Sequence, residues 1–193
     1  LRPARWSVVS SASNAMVPMT VVAEMAHGIA HASPWMPSLD GILAAELSDR
    51  LNDEAIATGN DRKPRLNPTT QPPDLYLPLA RCALGQDWHW MATCATPVGS
   101  ANARVRWWTG RVDHRALGEM TSTLPANVSD RQGPYRARKM PLLVTATSAI
   151  VWRAVGDPAQ IDDGVQSVAA IGKKRAQGEA RVLSWTVSVD LTL

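Results

Sequence analysis

Between Asp157 and Leu191 the apolar residues change their spacing once, and the change falls across a basic segment bounded by two glycines. Ile161, Val165, Val168 and Ala169 recur at the spacing of one helical face, and Asp157-Pro158 supplies an N-cap and a first-turn proline. A helix is expected from about Pro158 to Ile171, with Gly172 as its stop. Leu183, Trp185, Val187, Val189 and Leu191 then alternate with Val182, Ser184, Thr186, Ser188 and Asp190, the period of a strand with one buried face. The unit is helix, basic glycine-bounded loop, strand.

The loop runs Ile171-Gly172-Lys173-Lys174-Arg175-Ala176-Gln177-Gly178-Glu179-Ala180-Arg181-Val182. A backbone that lays its amides against a phosphate or base needs positive φ and no Cβ in the way, which glycine provides, and the lysines and arginine supply charge. The competing reading is that these cations complement the dipole of the helix they follow, worth about 0.3–1 kcal/mol.

The chain of 193 residues suits one domain with elaborations, and its 45% hydrophobic content is that of a globular protein. Eight tryptophans and no phenylalanine are unusual. A formal charge of only +3 does not by itself identify a nucleic-acid binder, but Arg131, Arg136, Arg138 and Lys139 fall in one short stretch with only Asp130 beside them. Cys82 and Cys94 have no second pair and no histidine cluster nearby, which argues against a zinc site or disulfide framework and predicts buried thiols in a reducing compartment. No apolar run has the length of a membrane span, and no convincing signal-peptide core is present, so a soluble, cytoplasmic protein is expected.

In chain order, residues 1–15 read as a flexible tail or extension and 16–193 as a single domain. Val17, Met19, Val21, Ala23 and Met25 alternate as a first strand. Ser38 caps a helix that carries Leu39, Ile42, Leu43, Leu47 and Leu51 on one face. An insertion rich in Asn, Asp and Pro follows at 52–74, with Arg62, Lys63 and Arg65 in it; such segments are solvated loops or partner contacts. Residues 75–95, turning at Gly85-Gln86-Asp87, read as a hairpin whose Trp88 and Trp90 pack within a sheet. In the strand from Ala103 to Val112, Arg104, Arg106 and Trp108 project to one face and Val105 and Trp107 to the other. That basic, aromatic face suits phosphate pairing and base stacking, although a charge-protected edge strand has the same pattern. A second insertion at 113–139 ends in Arg131-Gln132-Gly133-Pro134-Tyr135-Arg136-Ala137-Arg138-Lys139, where Tyr135 stands between guanidinium groups. Leu142 to Val155 reads as one long strand. The predicted fold is α+β, a modified ferredoxin-like (RRM-like, βαββαβ) core with inserted loops and extra hairpin strands.

Four pieces in order carry a family resemblance: Leu39-Asp40-Gly41-Ile42-Leu43, Gly133-Pro134-Tyr135-Arg136-Ala137 before Met140-Pro141-Leu142, Val151-Trp152 with Val155-Gly156-Asp157, and Ile171 to Gly178. With the strands between them they span most of Met16 to Val189, and the chain resembles the RAMP-superfamily subunit of type IV CRISPR effector complexes. That subunit is the counterpart of the type I subunit that binds the 5′ handle of the guide RNA. The resemblance implies a RAMP-type ferredoxin-like fold, guide-RNA (crRNA) binding, and a place at one end of a ribonucleoprotein backbone, beside the backbone and large subunits and, through the complex, target DNA. It carries RNA contact over to Gly172, Lys173, Lys174, Arg175 and Gln177. The family loop usually closes Gly-x-Gly, whereas here Gly178-Glu179-Ala180 lacks the second glycine and adds an acid, which sets that half of the loop further from phosphates.

Three functions remain open on the sequence. The first is a non-catalytic RNA-binding subunit using the 171–182 loop, Arg131, Tyr135, Arg136, Arg138, Lys139, Arg104, Arg106 and Trp108, without cofactor or metal. The second is a metal-independent endoribonuclease that processes the guide precursor, for which a base and an acid would come from His, Tyr or Lys. His27, His31, His89 and His114 are scattered and match no catalytic motif. The third is a structural subunit whose basic groups face protein neighbours.

Overall fold

Met19, Val21 and Ala23 are fully buried and Met25 nearly so, which is why Val17–Met25 forms a strand, β1, through the middle of the molecule. The computed structural model describes residues 16–31, 33, 37–59, 75–99, 102–111, 113, 115–116, 119, 129, 131–132, 136–175 and 178–190. The 1–15 segment, most of the 52–74 insertion, and Gly133, Pro134, Tyr135 and Gln177 lie outside the described residues.

The remaining elements are β2 (Ile29–His31), α1 (Leu39–Ala57), β3 (Arg81–Leu84), β4 (Asp87–Trp90), β5 (Thr96–Pro97), β6 (Asn102–Gly110), β7 (Arg138–Ala146), β8 (Ala149–Gly156), α2 (Pro158–Gln166) and β9 (Val182–Val189). An antiparallel sheet in the order β5-β8-β1-β9 puts Val21 opposite Trp152 on one side and Val187 on the other. With α1 after β1 and α2 after β8, the connectivity β1-α1-β5-β8-α2-β9 makes a mixed α+β fold compatible with a ferredoxin-like core.

Both helices pack on one face of this sheet. Leu39, Ile42 and Leu43 of α1 and Ile161 and Val165 of α2 join Ile150, Trp152 and Trp185 in one buried cluster. Trp152 stacks on Trp185 with centroids 5.6 Å apart, and their indole N–H groups donate to the carbonyls of Pro37 (3.0 Å) and Val168 (2.9 Å). Burying both rings therefore leaves no unmet donor. Ser38 caps α1 as expected, and the Asp157 carboxylate accepts from the amides of Ala159 (3.0 Å) and Gln160 (3.2 Å) to cap α2.

A second antiparallel sheet, β2-β7-β6, buries a smaller cluster of Ala30, Leu142 and Val144, with Trp108 packed at its margin. The third unit is the β3-β4 hairpin, whose two-residue loop puts Gly85 at φ 67, as a II′ turn requires.

Several expectations need correction. The helix begun at Pro158 ends at Gln166 rather than near Ile171, because Ala169 accepts from the Val182 amide (2.9 Å) and Ala170 bridges Arg181, which draws the chain into pairing with the coming strand. The span Leu142–Val155 is not one strand. It divides at Thr147-Ser148 into β7 and β8, which belong to different sheets and pair with different partners. Of the 75–95 hairpin only β3 and β4 form: Leu77 and Leu79 enter the main core instead, and residues 91–98 run along β8, with the Thr93 amide donating to Arg153 (2.9 Å) and that of Val98 to Ala149 (2.9 Å). Strand β2 has no counterpart in the sequence reading. The cysteines are free but neither is buried, since Cys82 lies on the thin β3-β4 hairpin and Cys94 in the exposed chain that follows it. No helix among the described residues is long and apolar enough to cross a membrane.

Candidate nucleic-acid interface

The 171–182 loop is pinched at its base and fastened to β2 near its start. Its ends close on each other through the Ile171 amide on the Ala180 carbonyl (3.1 Å) and the bridge from Ala170 to Arg181. Lys173 donates its amide to the Ala30 carbonyl (2.7 Å), which fastens the loop to β2. Positive φ at Gly172, Lys174, Gly178 and Ala180 makes the tight course possible.

Three amides of the loop are already engaged within the protein. Those of Lys173, Gly178 and Glu179 donate to Ala30, Arg175 and Lys174 respectively. A Cβ on Gly172 would sit 2.5 Å from the Ala30 carbonyl oxygen, so packing against β2 requires glycine here. Among the basic side chains of the loop, Lys173 and Arg175 are exposed and Lys174 is half-buried.

The loop crosses to the second sheet. Glu179 forms an ion pair with Arg106, and the Lys174 ammonium lies 3.3 Å from the centroid of the Trp108 ring, a cation–π contact. Trp108 also folds over Gly110, where an added Cβ would meet the indole. Strand β6 thus divides its residues as its alternation requires. Arg104, Arg106 and Trp108 take the face toward the loop, joined by Arg138, which is opposite Gly110. Val105 and Trp107 take the other face and are each 58% exposed, with the Lys139 ammonium 5.1 Å from the Trp107 ring.

The structure therefore brings together Lys174, Arg106, Trp108 and Arg138, and sets Lys139 on the reverse face of the same sheet. Arg104, Arg138 and Lys139 are exposed, as are Arg131 and Arg136 in the segment leading to β7. Charge follows the same division. Residues 102–146 hold eight Lys and Arg against three Asp and Glu, a balance of +5, which leaves −2 for the rest of a +3 chain. Strands β6 and β7 and their connection are the cationic part of the molecule.

A cleft of about 630 Å³ lies between α1 and residues 167–175. Lys173 and Arg175 form one wall and Glu46 and Asp49 another, so it offers no uniform surface to a polyanion. His31, at the same cleft, is buried with Nδ1 on the Ser33 carbonyl (2.8 Å) and Nε2 on the Thr145 hydroxyl (2.8 Å), an arrangement that ties β2 to β7. His27 and His89 are exposed, and His114 lies outside the described residues. Among the described residues no group of three His, Cys, Asp or Glu is placed to hold a metal ion.

Sequence reasoning missed two features. The Arg81 guanidinium lies over both Trp88 (4.3 Å) and Trp90 (4.5 Å), a cluster that the Gly85-Gln86 turn would have placed by register, since it sets Arg81 opposite Trp90. The pairing of Glu179 with Arg106 had no local signal. The chain matches no protein-family model and no curated protein sequence.

Proposed function

We propose that this chain is a non-catalytic RNA-binding subunit of a type IV CRISPR ribonucleoprotein complex, with a RAMP-type fold, which binds the 5′ end of the guide RNA and caps the backbone of the complex. The observation that carries the reading is the concentration of charge: residues 102–146, which form β6, β7 and their connection, hold a balance of +5 in a +3 chain, and the basic loop is fastened to β6 through Arg106 and Trp108. Polyanion binding needs such a local excess more than a high net charge. The βαββαβ connectivity and the four resembling segments support the family part of the reading.

Full-length protein titrated with a labelled single-stranded RNA at several salt concentrations tests it. Binding should weaken steeply with salt. Replacing Lys173, Lys174 and Arg175 together with alanine should lower affinity and flatten the log–log salt slope by about 0.7 for each phosphate no longer neutralised. Unchanged affinity and slope in a folded triple variant would remove the loop from the interface.

A role in protein contacts accompanies RNA binding. Strand β9, at the sheet edge, contains neither charge nor proline to discourage pairing with a neighbouring subunit. Co-purification with and without neighbouring subunits, followed by sequencing of retained RNA, separates the two roles: a shared 5′ end supports handle recognition, and absence of RNA favours a purely structural subunit.

A further inference from the structure

Adjacent tryptophans on a strand have opposite fates, and here the difference is large. Trp108 packs at the margin of the Ala30, Leu142 and Val144 cluster and carries Lys174 on its ring. Trp107 points away from the loop and is 58% exposed, beside an equally exposed Val105. Thr109 and Pro141, which share its face, are exposed as well. An indole more than half in water contributes little to the folded state, because most of its apolar area is never removed from solvent.

Lys139 decides the chemistry of what would cover it. It stands opposite Thr109 on β7, one pair along the same face, with its ammonium 5.1 Å from the Trp107 centroid. Arg104 and Arg138 lie on the opposite face of the same two strands, so Lys139 is the cation placed beside Trp107, within a segment whose balance is +5. An exposed aromatic ring with a cation beside it complements a ligand that offers flat π surface and negative charge in alternation. A single-stranded nucleic acid has that pattern, with base on indole and phosphate on lysine.

We propose that Trp107, rather than Trp108, is the platform on which a base of the bound single-stranded RNA stacks, with Lys139 on the adjoining phosphate. This rests on the RNA-binding reading above and identifies a face of β6 that the basic loop does not reach. The stack selects any base, since each has a π face, so it positions the strand without reading its sequence.

The test uses the full chain with two fluorescein-labelled RNA dodecamers, one of mixed sequence and one abasic along its length. Trp107→Ala should weaken binding of the intact RNA by about five- to 150-fold, the range a stacked base contributes, while leaving its salt slope unchanged. Trp107→Phe should recover most of the loss, and the abasic RNA should bind wild type and Trp107→Ala alike. Circular dichroism of each variant checks the fold. Normal binding by Trp107→Ala, together with weakened binding by the Lys173, Lys174 and Arg175 triple variant, would overturn the platform and leave RNA binding intact, directing this face to a protein neighbour. Equal losses with intact and abasic RNA would overturn it by making Trp107 structural. Failure of the wild type to bind either RNA would overturn the RNA-binding reading, and the platform with it.

Discussion

Gly172 and Gly178 bound the same loop and have similar positive φ, 79° and 83°, yet their surroundings differ. Alanine at 178 would meet nothing within 4 Å and would suffer only the left-handed backbone, about 1 kcal/mol. Alanine at 172 would add a clash with the Ala30 carbonyl and disturb the Lys173 hydrogen bond to it, for a loss of at least about 2 kcal/mol. Urea denaturation of both variants measures the difference, and equal losses would mean that the loop relaxes away from β2. The two tryptophans of β6 make the same point about neighbours. Their side chains are identical in chemistry, and only what stands over each face makes one a packing residue and the other a surface.

At the scale of elements, α1 and α2 are held together by close packing and one arginine. Gly164 of α2 lets Leu43 of α1 approach to where a Cβ would be 3.0 Å from it. Arg50 on α1 donates to Glu46 (2.9 Å), to the Asp163 carboxylate and carbonyl (both 3.0 Å), and to the Ser167 hydroxyl (3.1 Å). Partial burial, the largest single influence, pulls the Arg50 pKa down, but the hydrogen bonds and charges of Glu46 and Asp163 together raise it above the ordinary arginine value. A raised pKa means that, while Glu46 and Asp163 are ionised, this stabilisation is present below the ordinary arginine value and is lost as pH rises through the still higher folded one. Asp163 is well solvated, so its share is small. Arg50→Met should cost about 1–2 kcal/mol, with the same shift of the urea midpoint at about pH 7 and about pH 9. A loss that shrank toward alkaline pH would contradict this account.

The two larger sheets of the molecule have unequal support. The β5-β8-β1-β9 sheet lies under two helices and a large core, while β2-β7-β6 has the small cluster around Leu142 and Val144 and exposes much of β6. Amide exchange should therefore be slowest in β1 and β8, near the free energy of global unfolding, and faster by local opening in β6. Equal protection in both sheets would show one cooperative unit. Features that depend on near neighbours were legible in the amino-acid order: the start of α1 at Ser38, the cap and proline that begin α2, the alternation that makes β1 and β6, and the assignment of Arg104, Arg106 and Trp108 to one face; β9 forms where expected, but Val182 is buried while Leu183 and Val189 are exposed. Local periods and caps are written within a few residues, so they can be read there. Long-range folding settled that the 142–155 span divides between two sheets, that β2 exists, that the Lys173 amide is engaged by Ala30, and that Glu179 meets Arg106. Each of these depends on a partner distant in the chain, and backbone groups and charges pair with whatever folding brings beside them.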